Sequence, residues 1–285
     1  MKIKLAKKFI NLNFFKLKKL TKAAPILLSA VFLFLLACTP QSEKIYNEAY
    51  KEIEKGHFRV ALSLLEQSAQ LEKNDKKKTK ALVEAARISR FEIQDFDRAI
   101  RIYRQIILKS QDSKQRVNAQ EALSEIYLEN LQNYSQALKE LLILEQLDMD
   151  PLQKEKIKLR IAQAQFLTGN AEGALDNIDA ALKSDKKEAK HFYKLKAEVL
   201  ISIKKFDQAL AAYEEIRKLD EKFFAEENLY IATSIAFEEK QDYQSALTYL
   251  EKYKSRIKDL SYFELREKRL KEKLTNKPLF KGRRK

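Results

Sequence analysis

Six stretches of this chain fall into one register: GHFRVALSLLEQS, QDFDRAIRIYRQI, QNYSQALKELLIL, GNAEGALDNIDAA, KKFDQALAAYEEI and QDYQSALTYLEKY. They align on Ala61, Ala99, Ala137, Ala174, Ala209 and Ala246, which are 38, 38, 37, 35 and 37 residues apart. Three positions before each alanine stands Phe58, Phe96, Tyr134, Ala171, Phe206 or Tyr243. An aromatic at i and an alanine at i+3 share one helix face, and the small residue lets a neighbouring helix approach closely. Ile102, Tyr103 and Ile106 extend that face after Ala99, and Ala212, Tyr213 and Ile216 extend it after Ala209. Asp95 and Asp242 stand at the expected helix starts, where a carboxylate can accept orphan backbone N–H bonds. Between residues 44 and 274 there are only Pro151, Gly56, Gly169 and Gly173 to break helices, which predicts helix throughout. A unit of this kind cannot bury its apolar face alone; stacked copies make the core continuous.

The pattern over residues 44–255 resembles the tetratricopeptide repeat, a helix-turn-helix unit with small residues at fixed contacts. Ala49, Ala162 and Ala197 fit the small position of the first helix, twelve residues before the second-helix alanine. The family's tryptophan is absent, the proline closing each unit is mostly missing, and the period exceeds the family's 34 residues. The fold expected is all-α: a right-handed superhelical solenoid of about six such repeats, with a capping helix over 256–274. Within that cap Ser261 and Glu264 form an S-x-x-E capping box. Tyr262, Phe263, Leu265, Leu270 and Leu274 offer apolar area, while Arg266, Lys268, Arg269 and Lys271 reach water. Pro278 and Gly282 oppose further helix, so 275–285 is expected to be a flexible basic tail.

Charge sorts to the ends. Residues 1–37 carry eight lysines and no acid, and 275–285 carry five basic residues and no acid. Removing both from the overall +15 leaves about +2 for the body, too little for a nucleic-acid-binding stripe. Residues 1–22 are basic, 23–37 (AAPILLSAVFLFLLA) are largely apolar, and Ala37 precedes Cys38. That is the order of an export signal. Fifteen residues rise about 22 Å as a helix, less than a bilayer's hydrocarbon core, so a permanent anchor is the weaker reading.

Cys38 is the only cysteine, which excludes an internal disulfide and a cysteine-based zinc site. Leu35-Leu36-Ala37-Cys38 resembles the lipobox of bacterial lipoproteins, although Leu36 stands where that family prefers a smaller or β-branched residue. The resemblance implies removal of residues 1–37, a diacylglycerol and an N-acyl lipid on Cys38, and a tether over 38–43. Thr39, in place of an inner-membrane-retaining aspartate, implies sorting to the periplasmic face of the outer membrane. Ordinary cleavage after Ala37 is the alternative, which bulky Leu35 fits poorly.

Catalytic chemistry finds little support. There is no Gly-rich phosphate loop and no H-E-x-x-H. His57 reads as a solvated turn residue and His191 as a residue near a helix start. No catalytic residue, metal ligand or cofactor is expected, and the chain is read as a non-enzyme. Family resemblance places the first helix of each repeat along a concave groove that takes a protein or peptide. The candidates so placed are Tyr46, Tyr50 and Ile53; Glu84, Ile88 and Phe91; Leu159 and Phe166; and Lys194, Glu198 and Ile201. Glu198 four residues after Lys194 does not support the lysine–asparagine pair that some family members use for a C-terminal carboxylate. The function expected is a lipid-anchored envelope scaffold or adaptor in outer-membrane protein assembly, pilus or secretin assembly, or peptidase delivery. The alternatives are an enzyme or accessory subunit using carboxylates in the groove, and a spacer with no ligand.

Overall fold

The computed structural model describes residues 39–184 and 188–275, so Cys38, the segment before it and residues 276–285 lie outside the described residues. The described residues form fourteen α-helices and no strand. They divide into two compact units, with the boundary between Ile102 and Tyr103.

In the first unit, α1 (Gln41–Glu54) pairs with α2 (Phe58–Leu71), and α2 packs on α3 (Asp75–Phe91). Helix α1 starts inside the stretch expected as tether, because Pro40, with φ −52°, sits at its N-cap and suits the chain's entry into a helix. Helix α4 (Phe96–Lys109) carries the boundary. The second unit continues with α5 (Ser113–Glu125), a π-helical turn over Ile126–Asn130, α6 (Tyr134–Glu145), α7 (Pro151–Leu167) and α8 (Ala171–Ser184). Then come α9 (Ala189–Ser202), α10 (Phe206–Leu219), the short α11 (Glu221–Glu226), α12 (Leu229–Glu239) and α13 (Tyr243–Lys252). Helix α14 (Leu260–Thr275) packs on α13.

The six aligned alanines are all 0% exposed, as are Ala49, Ala162 and Ala197. The turn between the two helices of each repeat is built the same way six times. Gly56, Gln94, Gln132, Gly169, Lys204 and Gln241, each five residues before its alanine, have left-handed φ between 50° and 86°. This is the helix-ending conformation that glycine favours, yet glycine fills only two of the six places. One residue later the chain caps the next helix: Asp95, Asn133, Asn170 and Asp242 accept the backbone N–H of Arg98, Gln136, Gly173 and Ser245 at 3.0–3.1 Å.

The turns nevertheless come in two sizes. The N–H of His57, Asn170, Lys205 and Asp242 reaches back five residues, to the carbonyls of Glu52, Gln165, Leu200 and Phe237. The N–H of Asp95 and Asn133 reaches back six, to Ser89 and Tyr127. Repeats two and three therefore hold one extra residue at the end of the first helix, and in repeat three it is absorbed by the π turn. The small residue moves with it: Ala86 and Ser124, thirteen residues before their alanines, are 0% and 1% exposed.

The last helix differs from expectation in its cap and its face. Asp259, not Ser261, caps α14, its carboxylate accepting from the N–H of Tyr262 at 2.9 Å. Phe263, Arg266 and Leu270 form the buried face, while Leu265 is 63% exposed. Positions 263, 266 and 270 share one helical stripe, and Arg266 is turned inward because Glu238 of α12 waits there.

Candidate functional site

In the first unit, Tyr46 and Tyr50 stand one turn apart on α1, ring centroids 4.9 Å apart. The Tyr46 and Tyr50 hydroxyls share a hydrogen bond at 2.9 Å. Crowding by the surrounding chain, helped by that bond, pushes the Tyr50 hydroxyl pKa up to about 12. From α3 the Lys80 ammonium lies 5.3 Å from the centre of the Tyr46 ring. A cavity of about 220 Å³ opens here, its walls including Ser42, Tyr46 and Asn47 of α1, Ser68 of α2, and Lys77 and Lys80 of α3. Its acids are engaged. Glu43 meets Lys77 at 2.9 Å. Glu72 accepts from the Asn74 N–H and the Ser42 hydroxyl, which hold its carboxyl below the usual range. Beyond Tyr50, Glu84 is gripped by two nitrogens of Arg87 at 2.7 and 3.0 Å.

The three α3 candidates sit one residue beyond the positions that match those of α1 in the structure. Counting back twelve from Ala99 gives Arg87 as the small position, whereas the longer turn makes it Ala86. With Ala86 laid on Ala49, the residues matching Tyr46, Tyr50 and Ile53 are Val83, Arg87 and Arg90, not Glu84, Ile88 and Phe91. Ile88 is 0% exposed and belongs to the core, so it cannot line a groove. Glu84 is half-buried, and Phe91 is exposed with the Arg90 guanidinium 4.7 Å over its ring. In this register Val83 and Lys80 are the exposed residues, and the Ala85-Ala86 pair is the sequence signal for it.

In the second unit, Leu159 and Phe166 of α7 are partly buried against the cluster holding Ala162, Ala174 and Phe192. Ile201 packs on the next cluster in the same way. Lys194 is taken by Glu227 at 2.6 Å, and one turn earlier Lys190 is taken by Asp220 at 2.6 Å. Phe223 of α11 lies between them, 4.9 Å from the His191 ring and 4.8 Å from the Lys190 ammonium. Helix α11 thus covers the face of α9 that the repeat pattern would present. Phe224, 0% exposed, fixes it there, edge-on to Tyr230 at 4.8 Å. Desolvation beside α10 raises the pKa of Glu198; Lys194 opposes that shift and Glu227 adds to it. His57 is a surface turn residue, its Nδ1 2.7 Å from Glu52. Among the described residues no cluster of three or more histidines, cysteines or acids could hold a metal ion.

Residues 159–222 match the family model for the tetratricopeptide repeat. A tetratricopeptide repeat protein from Parabacteroides merdae superposes with a TM-score of 0.58, over 85% of this chain and 95% of that one, at 14% identity. The fold is the tetratricopeptide-repeat fold. The crystal structure of MamA protein agrees, with a TM-score of 0.50 over 62% of this chain and 91% of that one, at 21% identity. None of the curated protein sequences compared with the chain matches it. Solenoids of this kind form extended surfaces that other proteins bind.

Proposed function

We propose that this chain is a bacterial lipoprotein, anchored through Cys38 to the periplasmic face of the outer membrane, whose repeats hold a protein of the cell envelope. The observation that carries the reading is the junction at Cys38. The only cysteine closes an apolar segment behind a basic start, and a tetratricopeptide body begins directly after it. Only Thr39 and Pro40 separate Cys38 from α1, so on this reading the first repeat starts within about 10 Å of the bilayer. Diacylglycerol plus an N-acyl chain anchors stably where one chain holds only marginally. Such a position suits a scaffold for outer-membrane protein assembly, for pilus or secretin assembly, or for an envelope peptidase.

The test has two parts. Radiolabelled palmitate should enter the wild-type protein and be lost in Cys38→Ala; label that persists in the variant refutes the anchor. Crosslinking in intact cells, followed by purification through the repeats, should recover a defined envelope protein. That recovery should fall when Tyr46 and Val83 are replaced by Ala, and indifference to both substitutions would refute the groove reading.

A further inference from the structure

We propose that the cavity between α1, α2 and α3 receives an acidic side chain of a partner peptide, an Asp or Glu beside an aliphatic residue, with Lys80 as its counter-ion. The proposal rests on the reading that the repeats hold a protein. It follows from which groups around the cavity are already committed. Glu43 has Lys77, Glu72 has Ser42 and the Asn74 N–H, and Glu84 has Arg87. Among the described residues no carboxylate pairs with Lys80, which is exposed and lies over the Tyr46 ring. Asn47, also exposed, adds a side-chain amide to the same wall. The Tyr46 and Tyr50 hydroxyls share one hydrogen bond, so whichever of them donates to the other, one O–H proton of the pair is left to donate elsewhere. Donors are therefore in surplus where acceptors are satisfied, and an acceptor from outside completes the arrangement.

Charge selects the class of acceptor. Among the residues lining the cavity, Lys77 and Lys80 balance Glu43 and Glu72, so the lining is neutral before a ligand arrives. One carboxylate adds a single negative charge directly against Lys80. A phosphate dianion or a nucleic-acid backbone would instead bring two negative charges against two lining carboxylates with only one cation uncommitted. Size agrees with this. A volume of about 220 Å³ equals the liquid share of roughly seven waters, which is room for one side chain. The exposed Tyr50 and Val83 beside it offer apolar contact to a neighbouring aliphatic residue.

A randomised peptide library selected against the purified full chain and its Lys80→Met and Lys80→Glu variants tests this. Both variants alter an exposed side chain, and circular dichroism should show the wild-type helix content. Wild type should enrich Asp or Glu next to an aliphatic residue at least threefold over the library. Lys80→Met should lose that enrichment while keeping the aliphatic preference, and Lys80→Glu should turn it toward Lys or Arg. In the best wild-type peptide, Glu→Gln should weaken binding at least threefold to wild type and leave binding to Lys80→Met unchanged. Peptides selected without acidic preference, or with equal acidity from Lys80→Met, overturn the site alone. Failure of wild type to select any peptide overturns the protein-holding reading and the site with it.

Discussion

Arg266 of α14 lies against Glu238 of α12, each side chain less than a tenth exposed. Lys273 at 2.8 Å and Arg269 at 3.2 Å approach the other oxygen of the same carboxylate. Burial alone would raise the Glu238 pKa, but Lys273, Arg266 and Arg269 together hold it below the ordinary range. Glu238→Gln keeps the shape and leaves Arg266 buried without a counter-charge, a change that costs about 3 kcal/mol in such settings. We expect α14 to lose hydrogen-exchange protection in this variant before the helices of the first unit do. Since the folded pKa is depressed, the stabilisation is full above the unfolded value near 4.3 and is lost as pH falls through the folded value. Wild-type α14 should therefore loosen in acid, and the Gln variant should show a flatter acid limb.

Glu198 carries the opposite sign. Its folded pKa is raised, mainly by desolvation, so the charged form is penalised in the folded chain at neutral pH. That penalty disappears once pH falls below both the folded and unfolded values. Glu198→Gln should raise the melting temperature at pH 7, and the gain should vanish near pH 4. A variant that melts at or below wild type at pH 7 would refute the sign.

The left-handed turn residues predict paired effects. At Gly56 a Cβ would meet no atom within 4 Å, so Gly56→Ala costs only backbone strain at φ 76°, about 1 kcal/mol. Lys204, at φ 61°, pays that strain already. Lys204→Gly should be neutral or stabilising by up to about 1 kcal/mol, the relief being partly offset by glycine's greater freedom when unfolded. Urea unfolding of the two variants should move in opposite directions, or Lys204→Gly should stay unmoved.

The second-helix alanines predict intolerance to added bulk. Ala209 is 0% exposed in the cluster with Ala197, Tyr213 and Ile216. Ala209→Leu should destabilise by about 1–3 kcal/mol, seen as an earlier thermal transition. The next position already holds a leucine, Leu210, which is only partly buried.

The helices, the anchor alanines and the Asp95 and Asp242 caps were legible in sequence because each rests on short, local spacing. The inserted residue in repeats two and three was not legible, since an alignment fixed on the second helix hides a slip inside the first. Ile88 was misplaced for that reason alone. Arg266 was expected in water because arginine usually is; only the fold brings Glu238, 28 residues earlier in the chain, to the point that draws it inward. The covering of α9 was also hidden. Nothing local distinguishes Phe223, which lies on the α9 face, from Phe224, which enters the core.

The two turn sizes have a consequence for anyone building with these modules. The second helix keeps its register in all six repeats, while the first helix is offset by one residue, about 100° of azimuth, in two of them. A consensus averaged on the anchor alanines would blend two differently phased surfaces and reproduce neither. Grafting a recognition pattern from repeat one onto repeat two requires moving every residue back by one position relative to the following alanine.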